Sequence, residues 1–339
     1  GTFDNKNVGT AKVVTLVSNY AGVDTGNYSI TDQNSTNADV TAKSLNISGV
    51  VATDKVYDGN AVANIDVTAA VYSGLVAGDD LSVAITGVFD SKNVGTNKVV
   101  TLSNSYSGTD TTNYSISDQS SITADVTAKS LTVSGITASD KVYDGNTAAA
   151  VDVTSAVFTG LVAGDDLSVT ATGTFDNKNV GTAKLVSLSG SYAGSDTGNY
   201  SITGQASTTA DVTAKALIIS GIAANDKVYD GNTTAPVNVA SAVYTGLVAG
   251  DDLSVSATGT FDNRNVGTSK IVSLNSSYAG SDAGNYSITN QVSTTADVSV
   301  KALSISGIVV NDKVYDGNTT STVDITSAVY SGLVVGDDL

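Results

Sequence analysis

All the carboxylates of this chain are aspartates, and they recur in two settings, a Gly-Asp-Asp turn and an Asp- and Asn-rich loop. Asp165 stands beside Asp166, and Asp251 beside Asp252. Neighbouring residues on a strand point to opposite faces, so such pairs are poorly placed to act as acid and base on one substrate. His and Cys are both absent. That removes the commonest general base, the thiol nucleophile and Cys-based zinc. No catalytic residue is assigned, and the chain is read as a non-enzyme.

Calcium is the sharper chemistry. It takes six to eight oxygens from carboxylates, amides and carbonyls, which turns rich in Asp and Asn supply. The segment Asn225-Asp226-Lys-Val-Tyr-Asp230-Gly231-Asn232 and the turn Gly250-Asp251-Asp252 carry such groups. Asp226, Asp230, Asp251 and Asp252 are therefore the candidate ligands of a structural calcium, and no other cofactor is expected. The loop departs from an EF-hand, because Val228 fills a ligand slot and no Glu follows. Each Asp also has an ordinary use as a turn former or cap.

Three further chemistries are weaker. Tyr229 could stack its ring on the C–H face of a sugar. Lys184 or Lys215 could form an intramolecular isopeptide crosslink, which needs a buried lysine beside an acid. Asn199-Tyr-Ser and Asn232-Thr-Thr fit a glycosylation pattern, an accident in a chain this rich in Ser, Thr and Asn.

The elements that position these residues repeat. Lys-Val-Tyr-Asp-Gly-Asn begins at Lys55, Lys141, Lys227 and Lys313, a step of 86 residues each time. The same step carries Phe3 to Phe89, Phe175 and Phe261, and Gly78 to Gly164, Gly250 and Gly336. It also carries Asn27 of Asn-Tyr-Ser-Ile to Asn113, Asn199 and Asn285. Four markers on one spacing define a tandem array. The sequence opens and closes in mid-period, the pattern of an excerpt from a longer repetitive protein.

A period of 86 residues is long enough to bury a core. Val, Ile, Thr and Tyr favour strands, while the 33 Gly and the many Asn and Asp favour turns. The composition is all-β. A net charge of −17 argues against nucleic acid, whose phosphates need clustered Lys and Arg, and against anionic membranes. Lack of Cys and Met leaves little to oxidise, which suits exposure outside the cell.

In the third copy of the Phe-Asp marker, Leu167, Val169, Ala171, Gly173 and Phe175 alternate with polar residues, as on a half-buried strand. Val186, Leu188 and Tyr192 share a face of another, Tyr200 and Ile202 of a third, Ala210, Val212 and Ala214 of a fourth. Val151 and Val153 add a shorter one. Turn signals separate them, at Asp144-Gly145, Gly164-Asp166 and Gly198-Asn199. About seven short strands per period predict a β-sandwich. Asp196-Thr-Gly-Asn-Tyr200-Ser-Ile202 has the shape of the tyrosine corner of immunoglobulin domains, with Ile in place of the Cys. Tyr28, Tyr114, Tyr200 and Tyr286 are the four corner-like tyrosines, although Thr112 replaces the Gly in the second copy.

Cutting before each Ala-Lys-like junction gives a C-terminal part of a module at 1–42, full modules at 43–128, 129–214 and 215–300, and an N-terminal part at 301–339. No Pro- or Gly-rich linker separates them, so the fold class expected is tandem immunoglobulin-like β-sandwiches forming an extended rod.

The ordered set Lys-Val-Tyr-Asp-Gly-Asn, Gly-Leu-Val-x-Gly-Asp-Asp-Leu, Gly-x-Phe-Asp-Asn-Lys-Asn-Val-Gly-Thr and Asn-Tyr-Ser-Ile resembles the YDG-type repeat of large bacterial surface proteins and secreted haemagglutinin-like adhesins. The resemblance covers the whole chain. It implies an extracellular, bacterial cell-surface module carried in tandem, and it brings no active-site residues. The function expected is a structural stalk that spaces a distal adhesive tip from the cell. The alternatives are a multivalent array of weak glycan- or matrix-binding modules and a self-assembling filament subunit. Adjacent modules of the same chain are the expected partners, with any glycan or protein ligand held by other parts of the parent. Nucleic acid and membrane contact are not expected.

Overall fold

A computed structural model describes all residues 1–339. The chain is all-β, with no α-helix; its only helical turns are single 3-10 turns such as Thr111–Asn113 and Thr197–Asn199. No helix is long and apolar enough to cross a membrane.

The period 43–128 holds ten strands. Lys55–Val56, Ser121–Thr127, Gly95–Ser107, Ser82–Phe89 and Val62–Ala63 lie in that order in a five-stranded sheet. Tyr114–Ser117, Lys43–Ser48 and Val71–Ser73 form a three-stranded sheet, and Val51–Ala52 pairs with Ile65–Asp66. The long antiparallel hairpin runs in register from Ser82 opposite Ser107 to Phe89 opposite Val100. Two pairings are parallel. Lys43–Asn46 lies beside Tyr114–Ser117, and Lys55–Val56 beside Val126–Thr127. The four two-residue strands explain why the count exceeds the seven read from alternation, since a strand that short carries no periodic signal.

Alternation places the apolar side chains. Leu45 and Ile47, Val100 and Leu102, and Ala124 and Val126 are the inward residues of three strands. Gly87 stands where Phe89's face continues, and a Cβ there would lie 2.5 Å from Ile65 Cδ1 and 2.8 Å from Val100 Cγ1. Those two side chains occupy the space.

A bulge interrupts strand Gly95–Ser107 between Gly95 and Lys98, with Asn97 at φ 50°. Ala11, Ala183 and Ser269 repeat it at φ 47–50°. A non-glycine residue there costs about 1–2 kcal/mol, and each copy answers with the same bond. The bulge N–H donates to a carboxylate, that of Asp39, Asp125, Asp211 or Asp297, at 2.7–2.8 Å.

The chain forms two compact units, and their limits do not follow the 86-residue period. The first holds Gly1–Gly135, Val153–Thr170 and Gly190–Gln205; the second holds Ile136–Asp152, Ala171–Ser189 and Ala206–Leu339. The period 129–214 is divided between them. Its three-stranded sheet, Val157–Thr159 with Lys129–Ser134 and Tyr200–Thr203, belongs to the first unit. Accordingly the core of the first unit joins Leu45, Ile47, Tyr57, Phe89 and Val100 to Leu131 and Tyr200 of the following period. The core of the second joins Tyr143, Phe175, Val186 and Val212 to Leu217, Ile219, Phe261 and Val272. In each unit the apolar interior is built from two successive periods. Only Ala128 separates strand Ser121–Thr127 from strand Lys129–Ser134, so no linker intervenes.

Candidate functional site

Four recurrent motifs meet at one node within each unit. In the first unit Tyr57 of Val-Tyr-Asp-Gly is 1% exposed and its hydroxyl donates to both Asp165 oxygens, at 3.0 and 2.8 Å. Asp165, the first acid of Gly-Asp-Asp, also accepts from the Tyr200 hydroxyl and from Lys92 Nζ at 2.9 Å. Lys92 comes from the Ser-Lys-Asn turn after Phe89, and it reaches Asp196 as well, at 2.9 Å. The rings of Tyr57 and Tyr200 pack edge to face at 5.5 Å and 77°. Asn199 closes the arrangement by accepting from the Val94 N–H at 3.0 Å and donating to Asn93.

The second unit repeats this at Tyr143, Lys178, Asp251, Asp282, Asn285 and Tyr286. The Tyr143 bonds to Asp251 are 3.0 and 2.8 Å, and Lys178 lies 2.9 Å from Asp251 and 2.7 Å from Asp282. The ring pair is again 5.5 Å apart at 77°. Towards the ends, Lys6 pairs with Asp79 and Asp110, and Tyr114 donates to Asp79. Tyr229 donates to Asp337, with Arg264 in the place of the lysine at 3.3 Å.

The node is electrostatically self-consistent. Burial pushes the Asp165 carboxyl up, but bonds from Tyr200, Lys92 and Tyr57 outweigh it and hold the group below the usual carboxylate range. Asp251 is held down by the equivalent three donors against the same burial. Burial, and then the bond to the carboxylate, push Tyr200 and Tyr286 up to about 12. Bonds to Asp196 and Asp165 raise Lys92. An ionised carboxylate bonded by two neutral hydroxyls and a cation is a clasp, and the shifts hold each of these groups more firmly in the charge state it has at neutral pH.

The tyrosines singled out in the sequence take distinct places. The hydroxyls of Tyr114, Tyr200 and Tyr286 each accept a backbone N–H from Val76, Val162 or Val248, 38 residues upstream. Tyr28, in the first incomplete period, is 74% exposed.

The four candidate calcium ligands are not brought together. Asp251 is the node acid. Asp252 accepts from the Ser281 N–H, Asp226 from the Asp297 N–H at 2.7 Å, and Asp230 from Lys227 and Asn232. No group of three or more acidic side chains is arranged so that it could hold a metal ion. Tyr229 occupies the place of Tyr57 and Tyr143, whose rings are covered. Lys184 lies 2.9 Å from Asp176 and 2.7 Å from Asn177 Oδ1.

Sequence reasoning missed Lys92 and Lys178, Asp165 as a node acid, and Asn199 and Asn285. The signal was present. A basic residue recurs at positions 6, 92, 178 and 264, in step with Tyr and Asp, although an internal repeat alone does not say which recurring residues touch.

Each letter of Tyr-Asp-Gly now has a cause. The Tyr reaches an acid in the following period. The Asp binds the lysine three residues before it, as Asp58 does Lys55 at 2.7 Å. The Gly takes φ of +81 to +85° at Gly59, Gly145 and Gly231, where a Cβ would run into a valine from the Gly-Leu-Val of the following period. A Cβ at Gly145 would stand 2.7 Å from Val248 Cγ1. The family model of the YDG domain matches residues 41–122, 127–210 and 213–296. The chain belongs to the YDG domain family. Each YDG match opens two residues before the first strand of a period, at Lys43, Lys129 or Lys215. None of the curated proteins compared with the chain matches it.

Proposed function

We propose that this tandem YDG segment is a structural stalk of a bacterial cell-surface adhesin or filament, built of immunoglobulin-like sandwiches and working as an extended spacer outside the cell. The observation that carries the reading is the clasp of Tyr57 with Lys92 and Asp165, which ties a YDG period to the next without a linker. A shared core adds to it, because Leu131 packs among residues of the period before. Bending at such a junction would break an ion pair and uncover apolar surface together. The recurring polar residues are spent on one another, which fits a spacer better than a catalyst. The covered rings of Tyr57 and Tyr143 likewise fit a joint better than a sugar platform.

Small-angle X-ray scattering of the purified chain tests the extended form. A stalk gives a maximum dimension of roughly 35–45 Å per period, and a compact cluster of modules overturns it. Gold-labelled antibody against one module, viewed on intact cells, tests the location. Label strung along thin projections supports the stalk, whereas label only at the envelope or on bound ligand moves the binding array into its place.

A further inference from the structure

The Lys-Val-Tyr-Asp-Gly-Asn string assembles a second group that the clasp does not use. Lys227 Nζ lies 2.7 Å from Asp230 Oδ1 and 3.0 Å from Asn232 Oδ1, and its side chain is 8% exposed. The other oxygen of Asp230 accepts from Asn232 Nδ2 at 2.9 Å. One carboxylate therefore touches both an amine and the carboxamide that the amine faces. The Phe261 ring lies under the amine, 5.6 Å away, and limits water on that side. Lys141, Asp144, Asn146 and Phe175 reproduce the arrangement, with 2.7 Å to Asp144 Oδ1, 3.0 Å to Asn146 Oδ1, and 2.9 Å from Asn146 Nδ2 to Asp144 Oδ2. Lys55 with Asp58 and Asn60, and Lys313 with Asp316 and Asn318, carry the same residues at 2.7–3.1 Å.

We propose that Lys227 and Asn232, and Lys141 and Asn146, are joined by an intramolecular isopeptide bond that the Asp between them promotes. Asp230 takes a proton from the Lys227 ammonium, and the freed amine attacks Asn232 Cγ. The Nζ–Cγ bond forms and the Cγ–Nδ2 bond breaks, with Asp230 relaying protons from Nζ to the departing nitrogen. Overall, one lysine ammonium and one carboxamide become a secondary amide and an ammonium ion, so atoms and charge balance without any other reactant. Holding amine, carboxamide and acid in contact replaces an encounter in solution and so removes part of the barrier to such a reaction. The backbone carbonyls of Asn232 and Thr234 also bind Nζ, at 2.9 and 3.0 Å, and keep it at the carboxamide.

The bond would close a specific gap. Lys227–Val228 and Thr234–Ala235 are the two opposite edge strands of one five-stranded sheet, and Lys227 already reaches the Thr234 carbonyl. A covalent link there fixes the loop that joins those edges.

The test is the mass of the whole chain, purified after expression and measured under denaturing conditions, followed by tandem mass spectrometry. A deficit of two to four ammonia molecules is expected, one for each crosslinked repeat, with a branched fragment in which Lys227 and Asn232 are joined. Lys227→Arg is expected to restore one ammonia. A deficit of fewer than two overturns the proposal. A deficit that survives Lys227→Arg unchanged also overturns it, because loss at Asn232 alone, through a cyclic imide, does not involve the lysine.

Discussion

Tyr57 donates its hydroxyl to Asp165, a residue 108 positions further along the chain and so more than one full period away. Tyr143 does the same to Asp251 over the same interval. Removing this hydroxyl is the gentlest way to weigh the clasp. Tyr57→Phe keeps the ring contact with Tyr200 and deletes a bond to a charged acceptor, so a loss of about 1–3 kcal/mol is expected in denaturant unfolding. A double-mutant cycle with Asp165→Asn checks that the loss belongs to this pair. If the two changes simply add, Tyr57 and Asp165 are not coupled.

Leu131 belongs by numbering to one period and by packing to the core of the one before. Leu131→Ala is expected to cost about 2–5 kcal/mol. Hydrogen exchange should quicken across Lys43–Ser48 and Ser82–Phe89 as well as in Lys129–Ser134 itself. Exchange confined to residues 129–134 would contradict the shared core.

Two glycines with similar backbone separate strain from close approach. Gly145 has φ +81° and Val248 2.7 Å from where its Cβ would be, whereas Gly164 has φ +92° and nothing within 4 Å. Gly164→Ala should cost only the backbone strain, about 1–2 kcal/mol, and Gly145→Ala measurably more. Equal melting temperatures for the two variants would show that Val248 moves aside freely.

The titration behaviour has a definite sign at each end of the scale. Tyr200 and Tyr286 are raised from 10.0 to about 12, so the stability they lend is complete below pH 10 and is lost as pH rises from there towards 12. Asp165 and Asp251 are lowered from 3.8, so their share is present above that pH and lost as pH falls below it. A flat melting temperature between those limits, falling outside them, is the expected profile. Tyr200→Phe should blunt the alkaline fall.

Chelation should do little. The oxygens of Asp251 are taken by Tyr143, Tyr286 and Lys178, and those of Asp230 by Lys227 and Asn232. Excess EDTA is expected to leave the melting temperature unchanged, and a fall restored by calcium would show that these acids rearrange around a cation.

What could be read from the sequence was whatever repeats locally. Alternation placed Val169 and Phe175 on one strand and Ala210 and Val212 on another, and all four are buried. Alternation says which way a side chain faces but not what it faces. The partner of Tyr57, the parallel neighbour of Lys43–Ser48 and the placing of Leu131 in the preceding core are therefore invisible in a single sequence. Asp251 and Asp252 looked alike as ligands, yet one binds two hydroxyls and an amine while the other accepts a turn N–H.

The mismatch between the repeating period and the packed unit bears on how a gene of this kind can change length. Because Tyr57 meets Asp165, and Tyr143 meets Asp251, at one fixed interval, only the interval has to be preserved when copies are gained or lost. Unequal crossing-over between two repeats removes or adds 86 codons wherever within the repeat the exchange falls, and each tyrosine still finds an aspartate 108 positions on. Recombination needs no respect for domain borders here, since every breakpoint is equivalent.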